Sequence, residues 1–431
     1  MMTKRQQLFY LVLNLLSAIL LIGESTNGIK AVVLVVLSLF MMPRPITLLP
    51  VLYVSSWSIN FVAFPGLAAF FYYLVLLVVS VLIRGKSVRS FTKPPHFVLF
   101  AALFALWIFI TGFYSISGNW YSPTKLSLFI VPLILFSRFY LHDMEYLRKS
   151  LVVLAAFFSV YFLLLSLFFP VEFVSEKETA EYVFETSPSF RSDMNPNTAS
   201  QIVLLVFIIL FCGAFRTQKY WLSIFALFNF GSLMYLGSRT GFFAACIITV
   251  VYLILVLKTS FIKKTILLVA IVAVFFGIFS RNSRFDRAER LTVYSVKEDD
   301  GSGRFNTWQW LFMDAIPHNL VKGIGVGKDN YEYFGFNVDA DNMYVDVLCQ
   351  TGIVGSALFL TFYIYTIILL WKKRGAERDL DFLIAIYLAF LVEGWGESVF
   401  DTPMFWFCGL MAVLAINENE YMQRKIIPEN L

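Results

Sequence analysis

The sequence has few charged residues and few of the residue types that build metal or redox sites. Charged residues make up 15% of its 431 positions, whereas a soluble domain is about one quarter charged. It contains three histidines and four cysteines, and the cysteines stand singly inside apolar segments. The composition therefore argues against a soluble enzyme, a zinc site and a disulfide framework.

Several motifs are missing as well. We find no Walker, Rossmann or HExxH motif, and no internal repeat. Secondary transporters often show inverted repeats and charges at the membrane midplane, so the lack of a repeat disfavours a transporter. A receptor or scaffold without catalysis is a further alternative. No cofactor is expected, and no nucleic acid is expected as a partner.

Apolar and aromatic residues are abundant. Hydrophobic residues make up 59% of the chain and aromatic residues 18%. Many apolar runs approach the ~20 residues that cross a hydrocarbon core as a helix. They predict an all-α, polytopic membrane helical bundle of about 12–14 spans, with a large extracytoplasmic loop capped by short helices. The predicted spans are 6–22, 29–42, 46–63, 66–83, 97–113, 123–138, 148–169, 199–215, 219–236, 241–257, 263–280, 343–371, 381–398 and 403–417.

Lysine and arginine predict the orientation of these spans. Alternate short loops are basic, as in RGKSVRSFTKPP, and the loops between them carry no Lys or Arg, as in GFYSISGNWYSP. The basic loops and both termini are therefore expected in the cytoplasm. The predicted organisation is a transmembrane scaffold at 1–169, an acidic extracytoplasmic loop at 170–198, further spans at 199–280, a large extracytoplasmic loop at 281–341, and C-terminal spans with a short cytoplasmic tail at 342–431.

The loop at 281–341 is the largest polar segment and is rich in aromatic residues. That composition indicates a small ordered subdomain and not a disordered linker. Its amphipathic part, GRFNTWQWLFMDAIP, predicts a helix that ends at Ile316, because a proline disfavours the helical conformation in the residue before it. The glycine run GIGVG at 323–327 permits a tight turn or a close approach of two backbones.

Arg239, in LGSRTGFF, is the first candidate functional residue. It lies at the outer end of a predicted span, where positive residues are disfavoured, and charges at membrane depth tend to be functional. At a helix N-terminus, a guanidinium and free backbone N–H groups together suit a phosphate. The alternative is an arginine that reaches the membrane surface or sets the topology.

Further arginines are candidates for binding an anionic substrate. Arg281, Arg284 and Arg287 recur every third residue just outside a predicted span, so a helix would place them on one half of its surface. Such a face suits lipid headgroups or a pyrophosphate, and the alternative is a solvated face balanced by nearby acids. Arg191, in the acidic loop, is also a candidate for substrate binding.

Carboxylates gather near the outer ends of the last spans, namely Asp339, Asp341, Asp346, Glu393, Glu397 and Asp401. Such a group indicates a water-accessible cavity. Within it, a carboxylate can act as a general base, bind a cation or pair with an arginine. Glu393 and Glu397 are four residues apart in a predicted span, so we expect both to face the same way.

A polar stripe enters the membrane beside these acids. In DADNMYVDVLCQTGIVG, Asn342, Asp346 and Gln350 are spaced four apart, so a helix places them on one face. We interpret this face as one wall of the cavity, with Asn342 and Asp346 as substrate-binding residues.

These segments, in this order, resemble the O-antigen ligase and polymerase superfamily. The resemblance is carried by SRTG, GRFNTWQWLFMDAI, GIGVGKDNY and DADNMYVDVLCQTGIVGSALFL around one large outer loop, with NPN at 195–197 and GESVFDTPMFWFCGLM near the end. It covers about 190–417, whereas the first half is similar only as a generic bundle.

The resemblance implies a metal-independent, inverting glycosyltransferase that acts on glycan carried by undecaprenyl pyrophosphate, at the outer face of the bacterial plasma membrane. By position in these motifs, Arg239 is expected to meet the pyrophosphate and Arg304 to stabilise the leaving group. Asp341 stands where ligases place a histidine before Asn342. The base is therefore Asp341 or Glu397, or the step needs little help from a base because arginines neutralise the pyrophosphate.

The Asp-Asn pair departs from the ligase pattern and favours a polymerase of repeat-unit glycans, for O-antigen, capsule or exopolysaccharide. The alternative within the superfamily is a ligase that transfers finished glycan to lipid A core or to protein. The implied partners are the lipid bilayer and the lipid-linked glycan, with a chain-length regulator and a flippase as further candidates.

Overall fold

The computed structural model confirms an all-α architecture. It describes residues 2–22, 28–57, 66–83, 89–90, 95–137, 139–141, 143–168, 172–174, 183–185, 196–217, 219, 221–235, 239–253, 304–334, 340–373 and 380–426. Within these residues, the only strands form two short antiparallel pairs. Strand β1 (Arg89–Ser90) pairs with β2 (Phe139–Tyr140), and β3 (Glu172–Val174) pairs with β4 (Val183–Glu185).

The helices follow the apolar runs of the sequence. The first half contains α1 (Lys4–Ile22), α2 (Gly28–Met41), α3 (Leu49–Ser56), α4 (Gly66–Ile83), α5 (His96–Thr111), α6 (Tyr121–Phe136) and α7 (Met144–Phe168). The second half contains α8 (Pro196–Thr217), α9 (Trp221–Tyr235), α10 (Arg239–Val251), α11 (Arg304–Trp310), α12 (Ile316–His318), α13 (Asp329–Glu332), α14 (Met343–Lys373), α15 (Asp381–Glu393) and α16 (Pro403–Ile426). Short 3₁₀ turns at Pro45–Thr47 and Gly112–Tyr114 and a π turn at Leu311–Ala315 complete the described helical structure.

Five of the described helices are long and apolar enough to cross a membrane, which confirms a multi-pass membrane protein. They cover Lys4–Ile22, His96–Tyr114, Met144–Leu164, Ala199–Thr217 and Met343–Lys373. Shorter apolar helices occupy six of the other predicted spans among the described residues, and α15 and α16 occupy the last two. The span predicted at 263–280 lies outside the described residues, and the total number of spans stays a prediction.

The chain divides into two compact units, each built from separate stretches. The first unit comprises Met1–Thr92, Arg138–Asn229 and Leu414–Leu431. In it, α7 packs against α1, α3 and α8. Buried polar side chains join its helices: the Asn14 amide donates to the Tyr146 hydroxyl at 2.6 Å, and the Asn229 amide donates to the Ser159 hydroxyl at 2.6 Å.

The second unit comprises Lys93–Ser137 and Phe230–Val413, and it contains the predicted catalytic residues. In it, α5 packs against α6 and α14, and α10 packs against α15. A buried aromatic cluster forms the core, with Phe359 lying against Phe104, Phe405 and Trp406. These ring contacts join α5, α14 and α16.

Two predicted helix ends were wrong. The loop helix runs on to His318 instead of stopping at Ile316. The π turn at Leu311–Ala315 interrupts the helical hydrogen bonds, and Pro317 stands in the first turn of α12, where its missing N–H costs little. Helix α15 ends at Glu393 and not at 398, so Glu393 and Glu397 do not share a helix face. Gly394 and Gly396 follow directly, and glycine favours leaving a helix over continuing it.

Candidate active site

The turn between α15 and α16, residues 394–402, is held against two other helix ends. The Met343 N–H, at the start of α14, donates to the Gly394 carbonyl at 2.8 Å. On the other side, Gly396 lies so close to the Thr240 side chain that a Cβ would overlap it. Thr240 follows Arg239, the first residue of α10. The turn therefore brings the N-termini of α10 and α14 to one place.

Asn342 fixes this junction through its side chain. Its Oδ1 accepts the N–H groups of Tyr344 at 3.0 Å and Val345 at 3.1 Å, so it caps the N-terminus of α14. Its Nδ2 donates to the Trp395 carbonyl at 3.1 Å. Asn342 is buried and holds both the helix end and the turn in register. Substrate binding by Asn342 stays a prediction.

Asp341, the residue before this cap, adopts a left-handed backbone conformation with φ of 47°. Such a conformation costs an L-residue about 1 kcal/mol or more, although aspartate and asparagine tolerate it best. Residues of this kind persist where their surroundings hold them, and they are frequent at functional sites. Asp341 is half-buried.

The two predicted acids on α15 and its turn are much less accessible. Glu393 is completely buried at the C-terminal end of α15, and Glu397 is buried in the turn. Buried carboxylates in a membrane protein are costly and tend to be functional.

The loop helix approaches the same junction. The Trp308 indole N–H donates to the Ala340 carbonyl at 2.7 Å, next to Asp341. Arg304 begins this helix four residues earlier, so its position is on the same face as Trp308. For Arg239 and Arg304 the structure describes the backbone positions at the helix starts, and their side chains lie outside the described part. Arg191, Arg281, Arg284 and Arg287 lie outside it entirely.

Asp346 and Gln350, two of the three residues of the polar stripe, face the loop subdomain, here the segment 304–334. Asp346 is completely buried, and its Oδ1 accepts the Tyr331 hydroxyl at 2.6 Å and the Ala340 N–H at 3.1 Å. Gln350 Oε1 accepts the Gly327 N–H at 3.1 Å. The stripe thus holds the loop subdomain in place. We predicted that the stripe lines a cavity, but Asp346 and Gln350 instead form a buried face on which the loop subdomain docks. Substrate binding by Asp346 stays a prediction.

Burial and the neighbouring Asp346 carboxylate raise the pKa of Tyr331 well above its ordinary value. Ionising this hydroxyl would place a second negative charge beside the first in a site that excludes water. Tyr331 therefore keeps its proton across the pH range in which most enzymes work. Its hydroxyl donates a hydrogen bond to Asp346. The aromatic content of the loop predicted an ordered subdomain, but sequence reasoning missed Tyr331 as the partner of Asp346.

A break in α14 provides the second attachment of the loop. Gly352 has φ of 67° and ψ of −172°, which frees neighbouring backbone groups from the helix. The Ile324 N–H donates to the Cys349 carbonyl at 2.9 Å, and the Ile353 N–H donates to the Leu320 carbonyl at 2.8 Å. A Cβ on Gly323 or Gly352 would overlap the facing backbone. The glycine run is therefore a close backbone contact, one of the two roles expected for it.

The loop between α5 and α6 contacts the loop subdomain from another side. Asn330 Oδ1 accepts the Ser115 hydroxyl and the Ser117 N–H, each at 2.9 Å. Ser115 also lies within 3 Å of the position that a Cβ on Gly325 would take. The loop subdomain is therefore held both by α14 and by the loop between α5 and α6.

Trp395 was also missed by sequence reasoning. It is 66% exposed at the tip of the turn, next to the Tyr344 ring. The signal that could have identified it is its place between two glycines and two glutamates in EGWGE. Among the residues that the structure describes, no three of His, Cys, Asp and Glu come together in a way that could hold a metal ion. Metal independence stays a prediction.

Comparisons with known proteins bear on the same segment. A family model described as O-antigen ligase matches residues 222–360, which include α10, the loop subdomain and the first part of α14. The turn at 394–402 lies beyond the matched residues. No curated protein matches the chain. Over these residues the family match confirms the resemblance to the O-antigen ligase and polymerase superfamily that the motifs carry, and it supports a membrane enzyme of glycan assembly.

Proposed function

We propose that the protein polymerises oligosaccharide repeat units carried on undecaprenyl pyrophosphate, at the outer face of the bacterial plasma membrane. The observation that carries the proposal is the junction of three helix ends. It brings the start of α10 with Arg239 beside the turn with Glu397 and the Asp341–Asn342 pair. Cationic and carboxylate residues are the two kinds of group that transfer from a pyrophosphate requires.

The reaction is a single displacement with inversion. The acceptor hydroxyl oxygen attacks the anomeric carbon of the donor glycan, and the bond between that carbon and the pyrophosphate oxygen breaks. Undecaprenyl pyrophosphate leaves with the electron pair, and the hydroxyl proton passes to a carboxylate. Arg239 and Arg304 are proposed to neutralise the charge that develops on the leaving group, and no metal ion takes part in this scheme.

Asp341 is our proposed base. It is half-buried, whereas Glu393 and Glu397 are buried, and an acceptor hydroxyl must come within hydrogen-bond reach of the group that takes its proton. Glu397 is the alternative. Asparagine tolerates the same left-handed backbone conformation as aspartate, so Asp341→Asn removes the charge with little strain. A polymerase that keeps its normal rate in Asp341→Asn but loses it in Glu397→Gln would reassign the base to Glu397.

A ligase is the second candidate function, because the matching family is described as O-antigen ligase. The two activities leave different products in a strain that lacks the gene. Without a polymerase, single repeat units accumulate on the lipid carrier. Without a ligase, full-length polymer accumulates there. The aspartate at 341, in place of the histidine expected of ligases, supports the polymerase.

Complementation of such a strain tests the roles of the two arginines. We expect Arg239→Ala and Arg304→Ala to abolish long glycan chains while the protein stays inserted and folded. Arg239→Lys should also be impaired, because a lysine is a point charge and cannot make a bidentate contact with phosphate oxygens. The matched control is Arg5→Ala, which removes an exposed arginine at the start of α1. Polymer of normal length and amount from Arg239→Ala would refute its assignment.

A further inference from the structure

The turn at 394–402 presents one large aromatic side chain outward. Trp395 is 66% exposed, although it stands between two buried glutamates, Glu393 and Glu397. A large apolar side chain that is exposed beside polar groups commonly marks a binding surface. The question is what fixes the indole here and what it contacts.

The backbone of Trp395 is held in place, while its ring is left exposed. The carbonyl of Trp395 accepts the Asn342 amide, and the preceding carbonyl, on Gly394, accepts the Met343 N–H. On the other side, Gly396 is packed against Thr240 so closely that no side chain fits. Three neighbouring residues of the turn are therefore held by contacts to α14 and α10. The ring itself stays available for a ligand.

Tyr344 completes an aromatic surface of fixed shape. Its ring lies 5.5 Å from the Trp395 ring between centroids, and the two planes are inclined by 57°. Its hydroxyl donates to the Leu391 carbonyl at 2.6 Å, which holds the ring in position. Binding to such a preorganised surface loses little side-chain entropy. We define these two rings as the aromatic platform.

The surroundings of the aromatic platform select one class of ligand. A pyranose ring has an apolar face of C–H groups, which stacks on an aromatic ring, and an edge of hydroxyl groups, which bonds to carboxylates and amides. Asp341, half-buried beside Asn342, supplies a carboxylate next to the platform. A lipid chain has no hydroxyl group to offer this carboxylate, and it would desolvate it at a cost.

We propose that the aromatic platform, Trp395 with Tyr344, binds a pyranose ring of the lipid-linked repeat unit next to the reacting groups. This rests on the proposed function, since it names a sugar subsite of the same site. The platform positions the sugar by stacking, while the Asp341 carboxylate sets its rotation. Trp395 is thereby a determinant of which glycan the enzyme accepts.

The test is a binding titration on the full chain in lipid nanodiscs, read by saturation-transfer NMR. One probe is the oligosaccharide that mild acid releases from the lipid-linked glycan of a strain lacking this gene. The other probe is undecaprenyl phosphate alone. Trp395→Leu should weaken oligosaccharide binding about tenfold, a typical loss for a good aromatic contact, while Trp395→Phe should weaken it less than about threefold. Binding of undecaprenyl phosphate should not change.

Trp221→Leu is the matched control, because Trp221 is a half-exposed tryptophan of the first unit, and it should leave both probes unaffected. If Trp395→Leu cannot be purified as a folded protein, Trp395→Met gives the same comparison. Oligosaccharide binding that is equal in wild type and Trp395→Leu overturns the proposal. Weaker binding of the undecaprenyl phosphate probe to Trp395→Leu than to wild type overturns the proposal in favour of a lipid contact.

The two proposals fail in different ways. If the deletion strain accumulates single repeat units but Trp395→Leu binds the oligosaccharide normally, the sugar subsite is wrong and the polymerase stands. If the deletion strain accumulates lipid-linked polymer but Trp395→Leu loses binding, the polymerase is wrong and the sugar subsite stands.

Discussion

Replacing Tyr331 with phenylalanine removes one buried hydroxyl from the contact between the loop subdomain and α14. That hydroxyl donates to Asp346 Oδ1 at 2.6 Å. A hydrogen bond to a charged group contributes about 1.5–3 kcal/mol. Asp346 still accepts the Ala340 N–H in the variant, so its charge is not left wholly unpaired, and the larger penalty for an isolated buried charge does not apply. We therefore expect docking of the loop to weaken by about 2 kcal/mol.

A loss of about 2 kcal/mol in the free energy of docking makes the equilibrium constant for opening of the loop about 30-fold larger. Hydrogen–deuterium exchange resolves such local opening, so backbone amides at 323–334 should exchange about 30-fold faster in Tyr331→Phe than in wild type. The matched control is Tyr333→Phe, which makes the same chemical change at an exposed tyrosine two residues away. Its exchange rates should equal those of wild type.

The result that refutes this reasoning is also specific. If amides at 323–334 exchange at the wild-type rate in Tyr331→Phe, the hydroxyl does not hold the loop. If exchange accelerates equally throughout the second unit, the hydroxyl stabilises the unit as a whole and not the docking of the loop. Both outcomes would remove the basis for treating the α14 stripe as a docking face.

Two further predictions concern the same attachment. Gly352→Ala should lower the stability of the protein by about 3 kcal/mol, because its backbone conformation is nearly restricted to glycine and a Cβ would overlap the Val321 carbonyl. Gly231→Ala, in an open position of α9, should instead be neutral or stabilising by up to about 1 kcal/mol, and equal melting temperatures for the two variants would contradict the prediction. The stability of docking should also fall as pH rises above about 10, where an unfolded tyrosine releases its proton but Tyr331 does not. Tyr331→Phe should lack that pH dependence in exchange at 323–334.

The membrane helices were predictable because long apolar runs leave few alternatives. The helix ends were harder, since they depend on which backbone groups find partners elsewhere. The carbonyls near Gly352 accept hydrogen bonds from the loop subdomain, and the sequence of α14 does not predict these partners. For the same reason, Pro317 suggested an earlier stop than the structure has, because the π turn before it was not foreseen.

The spacing of Asp346 and Gln350 correctly placed them on one face of α14, whereas Asn342 precedes the helix and bonds to the turn at 394–402. Spacing does not identify what a face contacts. A polar face can border water or a second protein segment that supplies hydrogen bonds, and both satisfy the same groups. Here Asp346 and Gln350 bond to the loop subdomain. The motif order identified the region of the site, whereas Trp395 emerged only from the packing of Gly394 and Gly396.

Asp341 is positioned from both of its neighbours. On one side, Ala340 donates its N–H to Asp346 and accepts the Trp308 indole, so it is fixed to α14 and to the loop helix. On the other side, Asn342 caps α14 and holds the turn of Trp395. These contacts maintain the left-handed conformation of Asp341, which would otherwise relax.

Stability and chemistry therefore separate between Tyr331 and Asp341. Tyr331→Phe weakens the docking of the loop. If the equilibrium constant for docking in wild type is well above about 30, most molecules of the variant are still docked, so polymer synthesis should persist. Asp341→Asn keeps the backbone conformation and the neighbouring contacts but removes the charge, so stability should persist while synthesis is lost. If instead Tyr331→Phe lost synthesis and Asp341→Asn kept it, the network around Asp341 would serve the fold alone, and the base would have to be sought at Glu397.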